Sequence, residues 1–163
     1  LTGLNRFPLR VLTIRLAGSL DDPLLTEATM PRLTSGQFEV NLTPQPPGDY
    51  PEEEGLARMV IEKTFEGDLV GTSRGQMLSA MSGVKGSAGY VAIERVSGTL
   101  LGKTGSFVLQ HSGSMNRGVP TLSVSVVPDS GTGELEGISG QMTIDRVDGR
   151  HSYTFEYTLG DSA

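Results

Sequence analysis

Two histidines, a glutamate and a lysine are the residues of this chain whose types and positions could do chemistry. His111 and His151 each fall on the otherwise apolar face of an alternating stretch. His111 follows Phe107 and Leu109, and His151 precedes Tyr153, Phe155 and Tyr157. Imidazole titrates near neutrality, so an inward-facing His is a ready proton shuttle. Both also stand at the ends of their stretches, where a satisfied strand-end residue is the plainer reading. Glu94 lies in YVAIERV. Tyr90 and Ala92 share its side while Val91 and Ile93 take the other, so two placements are open. Pointing inward, its carboxyl would have a raised pKa and could serve as acid or base. Pointing outward, it would be a surface residue beside Arg95. Gln110 and His111 have opposite parity, and a regular strand sends only one of them inward; the apolar company favours His111. Lys63 shares a face with Met59, Ile61 and Phe65, which suits a stem packed on the core with its ammonium in solvent. Tyr153 and Tyr157 read as core aromatics with hydroxyl partners rather than as acids.

Other chemistries fail on residue types. Cys is absent, which removes disulfides, thiolate metal sites and thiol nucleophiles. Two His leave a metal centre short of ligands, and none is expected. GTSRG at 71–75 lies in strand-patterned sequence, not on the strand–turn–helix elbow a hydrolase serine needs, and Ser73 reads as a strand residue. PDSGTGELEG invites a phosphate-loop reading, but Glu134 stands where positive charge is wanted and strand pattern follows. The acidic run at 52–54 reads as a solvated connector. No cofactor is expected.

The elements that must position these groups are strands. Period-2 alternation dominates from Phe38, Val40 and Leu42 through Tyr157, punctuated by tight-turn signals such as EGD at 66–68 and DGR at 148–150. It predicts eight strands between about 36 and 159, with at most one helical turn near Glu134–Ile138. Gly is 22 of 163 residues, as a turn-rich β protein requires. An even number of antiparallel strands with short links suits an eight-stranded up-and-down barrel, which removes sheet edges. A β-sandwich is the alternative. The domain runs from 30 to 163. Residues 1–29 read as an N-terminal extension, either from a misplaced start or as an arm packing Leu12, Ile14 and Leu16.

The net charge of −6 with no Lys/Arg cluster opposes binding to nucleic acid or anionic membranes. No apolar run reaches the ~18 residues of a spanning helix, and Arg10 and Arg15 interrupt any secretory signal. A cytoplasmic protein is expected.

AGYVAIERVSGTL, GSFVLQHSG, SVVPDSGTGELEGISG and HSYTFEYTL, with FEGDL and GTSRGQML, closely resemble the bacterial family known as domain of unknown function 3224. The resemblance covers about 36–159. It implies a small antiparallel barrel with a central cavity, like that of allene oxide cyclase, in which inward carboxylates occur. The family has no established activity, so the resemblance bears on fold more than chemistry. Strand parity would place Tyr90, Glu94, Phe107, Leu109, His111, His151, Tyr153, Phe155 and Tyr157 along such a cavity, with His111 at the barrel mouth and SGTGELEG as a lid or plug. Three functions follow as expectations: a barrel binding a small, largely apolar metabolite; a cofactor-independent isomerase or cyclase; or a structural or partner-binding module. A homo-oligomer paired through apolar strand faces is also expected. The residues leave open whether the chain is an enzyme.

Overall fold

The computed structural model describes residues 30–46 and 55–160. The expected connector acids at 52–54 and the extension at 1–29 lie outside them. The described chain contains nine strands: β1 (Arg32–Pro44), β2 (Leu56–Gly67), β3 (Leu69–Met81), β4 (Ala88–Leu100), β5 (Lys103–Asn116), β6 (Val119–Val126), β7 (Thr132–Gly133), β8 (Ile138–Val147) and β9 (Arg150–Leu159). Every pairing is antiparallel, and β4 pairs with both β3 and β5. Eight strands therefore close on themselves as a barrel, in the order β1, β2, β3, β4, β5, β6, β8, β9 and back to β1, while the two-residue β7 lies against the start of β5. A β-sandwich is excluded by that closure. Among the described residues no helix is long and apolar enough to cross a membrane.

Tight turns set the register. Leu101–Gly102, Arg117–Gly118 and Asp148–Gly149 each have two central residues at positive φ (47° and 83°, 50° and 89°, 51° and 81°). That is the type I′ geometry whose twist matches paired strands. The turn at 101–102 puts Glu94 opposite Leu109 and Ala92 opposite His111. The β2–β3 corner puts Lys63 opposite Ser73.

The lower end of the barrel carries the 101–102 turn and the segment 127–137. This segment forms successive backbone turns rather than a helix, with Leu135 N–H donating to Thr132 O (3.2 Å) and Ile138 N–H to Leu135 O (3.2 Å). Leu135 is fully buried against the core, so the segment is a plug. Above it Leu69, Val96, Leu100, Phe107, Leu109 and Phe155 are all 0% exposed, and the axis is filled by side chains. An eight-stranded barrel is just narrow enough for this. The rings of Phe107 and Phe155 stack at 5.6 Å, and those of Phe155 and Tyr157 at 5.3 Å.

The upper end is looser. β1 and β9 pair only as far as Phe38 opposite His151, and β6 and β8 share the single pair Ser125–Gln141. Beyond Phe38, the β9-facing edge of β1 has no strand partner, and a cleft opens there.

Candidate functional site

A buried polar cluster sits above the aromatic layers. Glu94 is fully buried and faces inward, as its parity with Tyr90 and Ala92 allows. Its Oε1 accepts from Lys63 Nζ at 2.6 Å and from His111 Nε2 at 2.8 Å; its Oε2 accepts from Ser73 Oγ at 2.8 Å. Facing an acceptor-only carboxylate, His111 Nε2 carries the hydrogen. Four strands, β2 to β5, each supply one group. Gly75 lies across from Glu94, and a Cβ there would come within 2.6 Å of the glutamate Cβ. The absence of a side chain at Gly75 thus makes room for the carboxylate arm.

Burial alone would raise the Glu94 carboxyl. The hydrogen bond from His111 and the Lys63 ammonium outweigh it and hold the group at about 2. The expectation of a raised, acid-like Glu94 is therefore corrected, because parity shows that a residue is inward but not which cations meet it there. Lys63 differs from expectation too. It is 7% exposed, and its ammonium is spent on Glu94 and on the ring of Phe38, whose centroid lies 4.8 Å away. Ser73 and His111 both bond Glu94 rather than each other, so the four groups are not a nucleophile–base relay.

The other candidates divide by height. His111 points inward and Gln110 outward, but His111 is 4% exposed and not at the mouth. β5 continues to Asn116, so the mouth lies about five residues further on. Phe107, Leu109, Tyr153, Phe155 and Tyr157 face inward and are buried against one another, so they fill the barrel rather than line a cavity. Tyr153 accepts the Leu69 backbone N–H at 3.0 Å, whereas the Tyr157 hydroxyl is buried without a partner. Tyr90 is half-buried toward the upper end, with its ring over Gly113, where a Cβ would sit 2.7 Å from Cζ. Burial chiefly, then the nearby Glu94 charge, raises its hydroxyl pKa.

Of the expected lining, His151 borders the cleft between β1 and β9. It is half-buried and stacks on Phe38 at 5.0 Å, at the point where β1 parts from β9. Burial, then Arg146 and Lys63, lowers its pKa, so the ring is neutral at neutral pH. The cleft beside it measures about 760 Å³; Phe38, Val40, Leu42 and the His151 ring line it together with the charged Glu39, Glu66, Arg146 and Arg150. Phe38 touches both His151 and Lys63, which links this cleft to the buried cluster. Among the described residues no three His, Asp or Glu side chains converge as metal ligands.

Residues 34–157 match the profile of the family described as protein of unknown function (DUF3224). The chain belongs to the DUF3224 family. A solved DUF3224 structure, of a protein with unknown function from Shewanella oneidensis MR-1, is 47% identical. It matches over 82% of this chain and 100% of its own, with a TM-score of 0.76. No curated protein matches. The DUF3224 match covers nearly all of the described barrel, from the first buried residue of β1, Thr34, to Tyr157.

Proposed function

We propose that this DUF3224 barrel binds a small, largely apolar metabolite in the cleft where β1 leaves β9, not along its filled axis. The observation that carries the reading is that cleft: about 760 Å³, with Phe38, Val40, Leu42 and His151 for the apolar part of a ligand and Glu39, Glu66, Arg146 and Arg150 around them. Its size falls within the roughly 300–1,000 Å³ typical of small-ligand sites, which pair apolar walls with a few polar groups. Leu42 is 46% exposed, an apolar side chain with no protein partner covering it. The neutral His151 and Arg146 offer donors that would orient a polar end of the ligand.

A thermal-shift screen of hydrocarbons, fatty acids and aromatic metabolites tests it. A binder at a hundred times its Kd stabilises the native state by about 2.7 kcal/mol. Leu42→Arg, which fills the cleft from a half-exposed position, should abolish the shift while leaving the unliganded melt nearly unchanged. No shift with any compound, or a shift that survives Leu42→Arg, contradicts the proposal.

The cyclase or isomerase reading draws on a different observation, the convergence of Lys63, Glu94 and His111 behind Phe38. With Glu94 held ionised, proton traffic would fall to His111 and Lys63, and Glu94 would position them. Turnover of a bound compound that is lost in His111→Gln with binding retained would favour this reading; binding without turnover would favour the first.

A further inference from the structure

We propose that the ligand of this cleft is an amphiphilic monocarboxylate, its head held between Arg146 and His151 and its apolar tail lying along Val40 and Leu42 toward the barrel mouth; the inference rests on the cleft being the ligand site. Strand parity sorts the groups around it. Phe38 stands opposite His151, and His151 opposite Arg146, so the three share one inward row. Val40 and Leu42 continue the inward face of β1. Glu39, Glu66 and Arg150 alternate with the inward Phe38, Phe65 and His151 and therefore project from the outer side. The two acids and Arg150 thus rim the cleft outside, and Arg146 is the charged group of its inner wall.

Around the rest of the upper end the pattern is the same. Above the Lys63–Glu94–His111 cluster, the inward positions of the barrel strands carry no charged residue except Arg146; Met59, Met77, Met115, Leu122 and Ile144 are among them. Among the described residues Arg146 makes no ion pair, and it is exposed. Burial is the first cause of the lowered His151 pKa, but Arg146 and Lys63 add to it, so the potential at this ring is positive. A planar guanidinium offers a carboxylate two parallel N–H donors, and the neutral imidazole adds one more. One cation on the inner wall answers one negative charge. A phosphate dianion would lack a second cation there and would meet Glu39 and Glu66 beyond it. An ammonium head would be repelled, and a neutral head would leave the guanidinium to water. The wall defines the other half of the ligand. Val40 and Leu42, with the flexible methionines beyond them, suit an apolar chain of adaptable shape.

Isothermal titration calorimetry on the full chain at low ionic strength, with decanoate, decanol and decylammonium, tests the assignment, because these probes share a tail and differ in the charge of the head. Decanoate should bind roughly tenfold or more tighter than decanol, as a charge-assisted bidentate contact allows, and decylammonium should bind weakest. Arg146→Gln should erase most of the preference for decanoate and leave the affinity for decanol unchanged. Both this variant and Arg150→Gln change an exposed side chain, so folding is retained. Arg150→Gln, on the outer side, should keep the preference. Equal affinities for decanoate and decanol, a preference that survives Arg146→Gln, or one lost only in Arg150→Gln overturns the carboxylate assignment and leaves the cleft itself standing as a ligand site. Binding of none of the three probes overturns both.

Discussion

Glu94→Gln keeps the shape of the side chain at the centre of the cluster and removes its charge. Lys63, 7% exposed, then holds a buried ammonium with no counter-ion, and breaking a buried pair from one side costs about 3–5 kcal/mol. The proton affinity of Glu94 supplies an independent figure. Its carboxyl sits at about 2 against 4.5 for an unperturbed glutamate. At about 1.4 kcal/mol per tenfold, that gap amounts to about 3 kcal/mol. The depressed value fixes the pH window as well. The contribution is complete above the unfolded value of 4.5 and is lost as pH falls toward 2. Urea melts of wild type and Glu94→Gln should differ by about 3 kcal/mol at pH 7 and by only about 1 kcal/mol at pH 3. Lys63→Met combined with Glu94→Gln should recover most of the loss, because no buried charge remains. If Glu94→Gln costs less than about 1 kcal/mol, or the same at both pH values, Glu94 is not an ionised hub and the reasoning fails.

Four further outcomes follow from the same packing. Phe107→Ala should destabilise by about 3–5 kcal/mol, as for a fully buried ring. His111→Ala should cost about 1.5–3 kcal/mol, the worth of a hydrogen bond to a buried charged acceptor, and denaturant melts would reveal a rim imidazole by a near-zero cost. Tyr157→Phe should be neutral or stabilise by up to about 1 kcal/mol, because the buried hydroxyl has no partner; a clear loss of stability would reveal a hidden one. Gly36→Ala should destabilise by about 1–3 kcal/mol, since its Cβ would clash first with the Glu66 backbone carbonyl on β2 and would also come 2.8 Å from Tyr153 Cε1, disturbing the ring that holds Leu69 N–H; equal melts of the two proteins would contradict this.

The barrel was legible because alternation and turn chemistry agreed along most of the chain. Phe107, Leu109, Tyr153, Phe155 and Tyr157 could be assigned to the inner face by parity alone. The family motifs pointed to the same architecture. Height along the axis was not legible. His111 looked terminal because SGSMN lacks apolar alternation, yet β5 keeps its ladder to Asn116 through Gly113, where the Tyr90 ring supplies the missing side chain. Whether a cavity remained was equally hidden, because the fill depends on how the rings interleave. The Lys63–Ser73–Glu94–His111 cluster was missed as a unit, since its members are spread over four strands. The usable signal was the set of tight turns: counting back from Asp68 pairs Lys63 with Ser73, and from Leu101–Gly102 it sets His111 diagonal to Glu94. The cleft followed from ladder length instead. β1 outruns β9 by six residues beyond Phe38, a mismatch that no local pattern announces.

The location of the ligand site is open to direct measurement by backbone amide NMR during titration with the strongest thermal-shift binder. Saturable shifts are expected, centred on Phe38, Val40, Leu42 and His151 and fading toward Leu100 and Leu135 at the plugged end. Shifts confined to the outer face of β2 to β4, or spread over the aromatic layers around Phe107 and Phe155, would contradict it.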